Sequence, residues 1–332
     1  MKRFLIIRFS SMGDIVLTTP VIRCLRKRYP DAEIHYLTKP NFASIVESNP
    51  HVTKVWQWNQ DSKEMLKHLK ALKFDHIIDL HHNLRTKRVK LALGRPSSSF
   101  NKLNIEKYLM VRFRINRMPN KHIVERYLAT IKDLGIENDG LGLDFYIAPA
   151  DEFDTTKLPT NFQNGYVALV AGALKETKRM PEHMLRKLLE MNSLPVVILG
   201  GKAEVELGIS LAKGLENRVL NLCGNLSLGG SASVIQQASL VISHDTGLMH
   251  IAAAFQKPII SIWGNTIPEF GMWPYNPSNK FEEVRAEVNN LSCRPCSKIG
   301  YEKCPKGHFK CMENQDLKAI LQDAERIFRV CL

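Results

Sequence analysis

Two turns in this chain carry residues suited to handling an anion. The first, Ser243-His244-Asp245-Thr246-Gly247, joins the apolar run Leu240-Val241-Ile242 to a stretch of helical patterning at 248–255. The opening N–H groups of a helix lack internal partners and stand at the positive end of its dipole, so phosphate is their natural ligand. Asp245 or Thr246 could equally do no more than cap that helix. The second turn, Ser10-Ser11-Met12-Gly13-Asp14, follows Phe4-Leu5-Ile6-Ile7 and precedes apolar residues at helical spacing over 15–28. Gly13 lets backbone approach a ligand closely, and the two hydroxyls can donate to phosphate oxygens. Asp14 would repel a phosphate, so it needs separate work. It is either an N-cap or a general base that takes a proton from an incoming hydroxyl.

The elements that must hold these turns alternate along the whole chain. Patterning predicts strands at 4–7, 33–37, 52–58 and 76–80, with helices at 15–28, 41–47, 63–72, 85–93 and 123–134. It predicts further strands at 166–170, 195–199, 219–222, 240–242 and 258–262, with helices at 181–191, 204–215, 231–238, 247–255 and a closing helix at 317–330. Such alternation implies an α/β fold of parallel sheets covered on both faces, repeated in two doubly wound halves that face each other across a cleft. Residues 139–164, rich in glycine, proline and short polar side chains, read as the connection. Neither turn carries the G-x-G-x-x-G of a dinucleotide-binding strand and helix, and the G-x-x-x-x-G-K-[ST] phosphate loop is missing too.

Charge is distributed unevenly over the 332 residues. Residues 1–150 carry 26 Lys and Arg against 14 Asp and Glu, whereas residues 151–332 carry 20 against 19. One cluster is Arg85, Lys87, Arg88, Lys90 and Arg95; another is Arg112, Arg114, Arg117 and Lys121. A basic half suits a polyanionic partner: nucleic acid, anionic lipid head groups or a phosphorylated glycan. No nucleic-acid-binding motif accompanies the charge, so a nucleic-acid partner is not expected. Arg8, Arg85 and Arg88 stand near the ends of N-terminal strands, where their bidentate donors could bind phosphate or carboxylate groups of an acceptor. No apolar run approaches the roughly 18 residues of a membrane span, and no signal-peptide pattern opens the chain, so a cytoplasmic protein is expected. Seven cysteines, an odd number, fit a reducing compartment. Cys293, Cys296, Cys304, His308 and Cys311 would suffice for a tetrahedral zinc site, but only the first pair has short ligand spacing, and packed or surface thiols are the expectation.

Three segments together resemble one family. The opening Ile7-Arg8-Phe9-Ser10-Ser11-Met12-Gly13-Asp14-Ile15-Val16-Leu17-Thr18-Thr19-Pro20, the central Lys178-Arg179-Met180-Pro181 and the block Asp245-Thr246-Gly247-Leu248-Met249-His250-Ile251-Ala252-Ala253-Ala254 are similar to those of the ADP-heptose:lipopolysaccharide heptosyltransferases. The resemblance implies a GT-B fold of two Rossmann-like domains: residues 1–150 for the acceptor, 151–315 for the nucleotide-sugar, and 316–332 as a closing helix across the domain junction. It implies inverting transfer of heptose from ADP-heptose to an inner-core sugar of lipopolysaccharide, by a monomer at the inner face of the inner membrane. Asp14 then matches the catalytic base. Ser11, Gly13, Lys178, Asp245, Thr246, Gly247, Leu248 and His250 match the nucleotide-sugar contacts, and Glu204 the acidic position at the ribose. No cofactor or metal is implied, since a helix start and Lys178 can neutralise the diphosphate. The chain departs from the pattern at His244, where many relatives have Asn, and at Ala173 and Leu174, where some have a pair of Thr. A related transferase of another nucleotide-sugar or acceptor, or a non-catalytic nucleotide-sugar binder, would share most of these residues.

Overall fold

A computed structural model describes residues 1–59 and 62–331; Leu332, the last residue of the expected closing segment, lies outside the described residues. The chain divides into two units, one formed by residues 1–103 with 121–146 and the other by residues 104–120 with 147–332. The exchange of 104–120 into the second unit has no counterpart in a single boundary near residue 150.

The first unit is built on a five-stranded parallel sheet of β1 (Arg3–Ile7), β2 (Glu33–Thr38), β3 (Lys54–Gln57), β4 (His76–Asp79) and β5 (Ser97–Ser99), in the order β3-β2-β1-β4-β5. Leu5, Ile7 and Phe9 pack with Leu37, Leu69, Phe74, Ile77, Val89 and Leu93, so the central strand is buried and reads as an unbroken apolar run. Ile7 pairs with Leu37 on one side and Asp79 on the other. Three strands therefore end level, and the residues that follow them share one edge.

The second unit carries six parallel strands, β6 (Val167–Val170), β7 (Val196–Leu199), β8 (Val219–Asn221), β9 (Leu240–His244), β10 (Ile259–Trp263) and β11 (Glu283–Glu287), in the order β11-β10-β9-β6-β7-β8. Val170 lies opposite Ser243, and His244 opposite Ile262, which brings the carboxyl ends of β6, β9 and β10 to one edge. The helix Leu317–Val330 buries Leu317, Ile320, Leu321, Ala324, Ile327 and Phe328 in the same core as Leu185, Leu188 and Ile242 of this unit. No helix among the described residues is long and apolar enough to cross a membrane.

Several elements differ from expectation for physical reasons. The single helix expected at 15–28 is two, Met12–Val16 and Thr19–Arg28. Pro20 in the first turn of the second helix has no N–H to continue the first. The hydroxyls of Thr18 and Thr19 donate instead to the closing carbonyls of Ile15 and Val16 at 2.6 and 2.7 Å. Because the first helix starts at Met12, Asp14 sits inside its opening turn rather than before it. The helix expected at 123–134 is α-helical over Ile123–Leu128 and tightens to a 3₁₀ turn over Ala129–Leu134, closed by Gly135 with φ 70°.

Candidate functional site

In the first unit the edge beyond β1 and β4 gathers Arg8, Asp14, His81 and Tyr127. Arg8 is buried, and each of its three side-chain nitrogens is engaged. Its Nε donates to the Ser10 carbonyl at 2.6 Å, and one terminal nitrogen donates to the Leu80 carbonyl at 2.5 Å and to the Tyr127 hydroxyl at 2.9 Å. The other terminal nitrogen lies 2.7 Å from Asp14 Oδ2. The Ser11 hydroxyl donates to the same oxygen at 2.8 Å and the Ser11 N–H reaches it at 3.2 Å. Burial alone would raise the Asp14 carboxyl, but the Arg8 charge and the two Ser11 donors hold it below the ordinary carboxylate range. The side chain keeps 17% of its surface exposed, enough to meet a ligand. Ser11 is exposed beside it and Gly13 is buried in the helix behind it. Arg8, expected to reach an acceptor, is thus turned inward as the counter-ion of Asp14.

His81 has no counterpart among the expected site residues. Burial, with help from Arg8 and Lys102, lowers its imidazole to about 4, which keeps it neutral near pH 7. Its backbone N–H and that of His82 are fixed by Asp79 Oδ1 at 3.1 and 2.7 Å, and Asp79 is itself buried against Lys90 Nζ at 3.1 Å. Phe9 organises the neighbourhood, with its ring 5.5 Å from His81, 5.3 Å from Trp58 and 5.6 Å from the Arg85 guanidinium. Beside it a cavity of about 640 Å³ is lined by Lys39, Pro40, Asn41, Trp58, Asn59, Leu66, Arg85 and Arg88. Arg85 and Arg88, one turn apart on the helix Leu84–Leu93, are brought together there with a third cation.

In the second unit the edge beyond β6, β9 and β10 carries the other cluster. Thr246, extended at φ −138°, precedes the helix Gly247–Ala254 without a side-chain cap, which leaves the first N–H groups open to a ligand. Asp245 does not cap the helix either. Its Oδ2 accepts from Lys178 Nζ at 2.5 Å and from the Thr266 hydroxyl at 3.0 Å, with only 9% of the side chain exposed. Asp245, Thr246, Gly247 and Leu248 are half-buried, whereas His250 faces the interior at 1% exposure. Next to Thr266, the buried amide of Asn265 makes no hydrogen bond from either polar side-chain atom among the described residues. A buried amide without partners is costly and marks a place where a ligand's donors and acceptors would be rewarded.

His244 explains its own departure from the pattern. It is fully buried and its Nε2 accepts the Met180 backbone N–H at 3.0 Å, which ties the Lys178-Arg179-Met180 segment to the end of β9. Burial, then the nearby Arg179 charge, lowers it to about 4, so the accepting nitrogen stays unprotonated at neutral pH. Glu204 lies in a cradle of glycines. Its Oε2 accepts from the Gly201 N–H at 2.8 Å and Oε1 lies 3.8 Å from Arg179. A Cβ at Gly172 or Gly200 would stand 2.7 Å from Glu204 atoms. Among the candidate zinc ligands, Cys296 Sγ donates to the Cys293 carbonyl at 2.9 Å and Cys293 Sγ is 3.8 Å from His308 Nε2. Burial pushes Cys296 up to about 11 and Cys311 up to about 12, so both stay protonated thiols. Among the described residues no three Cys, His, Asp or Glu side chains are grouped as metal ligands.

Similarity to known proteins extends over most of the chain. The family model described as glycosyltransferase family 9 (heptosyltransferase) matches residues 63–302. The chain is 27% identical over 336 residues to lipopolysaccharide heptosyltransferase 1 of Pseudomonas aeruginosa, an alignment covering 89% of this chain and 86% of that one. Two solved structures share the fold. Escherichia coli ADP-heptose lipopolysaccharide heptosyltransferase II superposes with a TM-score of 0.72 at 18% identity, covering 99% and 98% of the two chains. The E. coli heptosyltransferase WaaC with ADP superposes with a TM-score of 0.67 at 22% identity, covering 98% and 99%. Two Rossmann-like parallel-sheet units make this a GT-B fold.

Proposed function

Since the chain belongs to glycosyltransferase family 9, the heptosyltransferases, we propose that it moves heptose from ADP-heptose to an inner-core sugar of lipopolysaccharide with inversion at the anomeric carbon. The observation that carries this reading is the Asp14 carboxylate, kept ionised and aimed by Arg8 and Ser11 at the carboxyl edge of the N-terminal sheet. Its relatives are named for heptosyl transfer to lipopolysaccharide, and one neighbour was solved with ADP.

In the reaction an acceptor hydroxyl attacks the anomeric carbon and its proton passes to Asp14. The new glycosidic C–O bond forms as the bond from that carbon to the β-phosphate oxygen breaks, and ADP leaves with the electron pair. One displacement with one base gives inversion. Arg8 acts as a positioning residue. By lowering the basicity of Asp14 it delays proton transfer until bonding to the anomeric carbon is advanced, when the hydroxyl has become acidic enough to give the proton up.

Charge on departing ADP is met in the C-terminal unit. Lys178 has three donors, of which Asp245 takes one, so the ammonium can bridge that carboxylate and a diphosphate oxygen. Asp245, itself held by the Thr266 hydroxyl, keeps Lys178 in place, and the uncapped N–H groups at Gly247 and Leu248 supply the remaining fixed donors. Glu204, with one oxygen on Gly201, offers the other to the ribose hydroxyls. On the acceptor side, Arg85, Arg88 and Lys39 around the cavity suit the phosphate or carboxylate groups of a core saccharide, with Trp58 as an apolar wall. The test is ADP release by purified protein from ADP-heptose, which should require a truncated lipopolysaccharide. Release with another nucleotide-sugar in preference, or none with any acceptor, would replace the reading.

A further inference from the structure

Residues 104–124 contain five cations, Lys107, Arg112, Arg114, Arg117 and Lys121, against one acid, Glu106 in the first helical turn. The helix Asn104–Phe113 that opens this stretch buries none of its residues. Ile105 is 73% exposed, Tyr108 60%, Phe113 56% and Ile115 47%. A surface helix ordinarily turns its apolar stripe to a core. Here the i, i+3, i+7 face formed by Ile105, Tyr108 and Arg112 is the open one. The exposed groups are not scattered, since the Tyr108 and Phe113 rings meet edge to face at 5.9 Å. Every residue from 112 to 117 is exposed, in the order Arg-Phe-Arg-Ile-Asn-Arg. Arg114 anchors the end of the helix on its own unit, donating to the carbonyls of Ser292 and Cys293 at 3.1 and 2.9 Å.

Alternating cations with exposed aromatic and branched apolar side chains matches an anionic lipid–water boundary. Apolar groups enter the acyl margin there, rings sit at head-group level, and guanidinium groups meet lipid phosphates. Nucleic acid would engage the cations but gain nothing from Ile105 and Ile115. We propose that the helix Asn104–Phe113 and the arm that follows it dock on an anionic membrane surface, with Ile105, Tyr108, Phe113 and Ile115 inserted and Arg112 and Arg117 on lipid phosphates. This deepens the reading of a lipid-anchored acceptor given above, on which it rests for its purpose.

The test is co-sedimentation of the full chain with vesicles of phosphatidylethanolamine and phosphatidylglycerol, and with vesicles of phosphatidylcholine alone. Wild type should partition onto the anionic vesicles, with binding weakened by salt. The double variant Arg112→Glu/Arg117→Glu should lose binding by on the order of tenfold or more, and Tyr108→Ser/Phe113→Ser should lose it as well. Both variants should keep wild-type turnover on a deacylated, water-soluble acceptor. Failure of wild type to bind anionic vesicles, equal binding to both vesicle types, or undiminished binding by both variants would overturn the docking surface. A dimer dispersed by these substitutions would overturn it too, in favour of a second copy on this face. Vesicle binding by a protein inactive on every acceptor would sink the transferase reading and leave the docking surface standing.

Discussion

Arg8→Met is the most searching perturbation of the N-terminal site, because one guanidinium satisfies three neutral acceptors and one carboxylate. Its removal strands the Ser10 and Leu80 carbonyls and the Tyr127 hydroxyl, and leaves the Asp14 carboxylate without its counter-ion. Breaking a buried ion pair from one side costs about 3–5 kcal/mol, and the partial exposure of Asp14 places this case at the lower end. Against a total stability of about 5–15 kcal/mol that is a large fraction, so Arg8→Lys serves as the milder partner. Lysine restores charge but must reach scattered acceptors from a single nitrogen.

The pH dependence separates pairing from packing. In wild type the folded-state pKa of Asp14 is depressed, so its contribution is present above the unfolded carboxylate value and is lost as pH falls through the folded one. Without Arg8, the burial that opposes ionisation acts against the remaining Ser11 donors alone, and the deficit of Arg8→Met should be largest at neutral pH and shrink on acidification. Urea unfolding at pH 4, 5.5 and 7.5 reads this directly. A deficit of the same size at all three would mean that Arg8 acts through packing alone and that Asp14 is not held ionised by it. The acid limb of kcat should also move to higher pH in the Arg8→Lys enzyme.

Three further outcomes follow from the same geometry. Lys178→Ala should weaken ADP binding by on the order of tenfold or more while leaving Asp245 unpaired, and adding Asp245→Ala should cost less than the sum of the two, read by calorimetric titration in a double-mutant cycle. His244 titrates near 4 in the fold against about 6.5 when unfolded, so its contribution is complete above about 6.5 and declines as pH falls toward 4; His244→Ala, which leaves the Met180 N–H without an acceptor, should cost about 1–3 kcal/mol at pH 7. Arg85→Ala/Arg88→Ala should raise KM for the acceptor with KM for the donor unchanged in steady-state assays, and a rise in the donor KM instead would remove the cavity from the acceptor site.

The strands legible in the sequence are those buried on both faces, since β1, β9 and β10 are near-continuous apolar runs bounded by turns. β5 is three serines and β11 reads Glu-Val-Arg-Ala-Glu; both are edge strands whose pairing comes from the neighbour rather than from their own patterning. The turns at residues 10–14 and 243–247 were visible because small and polar residues interrupt apolar runs there. What sequence could not show was how strand ends converge. Arg8 and Asp14 lie six residues apart, from the residue after β1 through a turn into a helix start, so their pairing depends on backbone path. Thr266 reaches Asp245 only because β9 and β10 are adjacent, and His81 joins the site only because β4 lies beside β1. Resemblance singles out Lys178, while its hold on Asp245 is a property of the fold.

The central claim is that Asp14 takes the proton of the attacking hydroxyl. Asp14→Asn keeps the shape and the Ser11 contacts while removing the basic oxygen, so the variant should bind ADP as wild type does and lose kcat by at least about a hundredfold. Turnover within a few fold of wild type, at unchanged ADP affinity, would reduce Asp14 to the capping-box partner of Ser11, paired with Arg8, and contradict the mechanism.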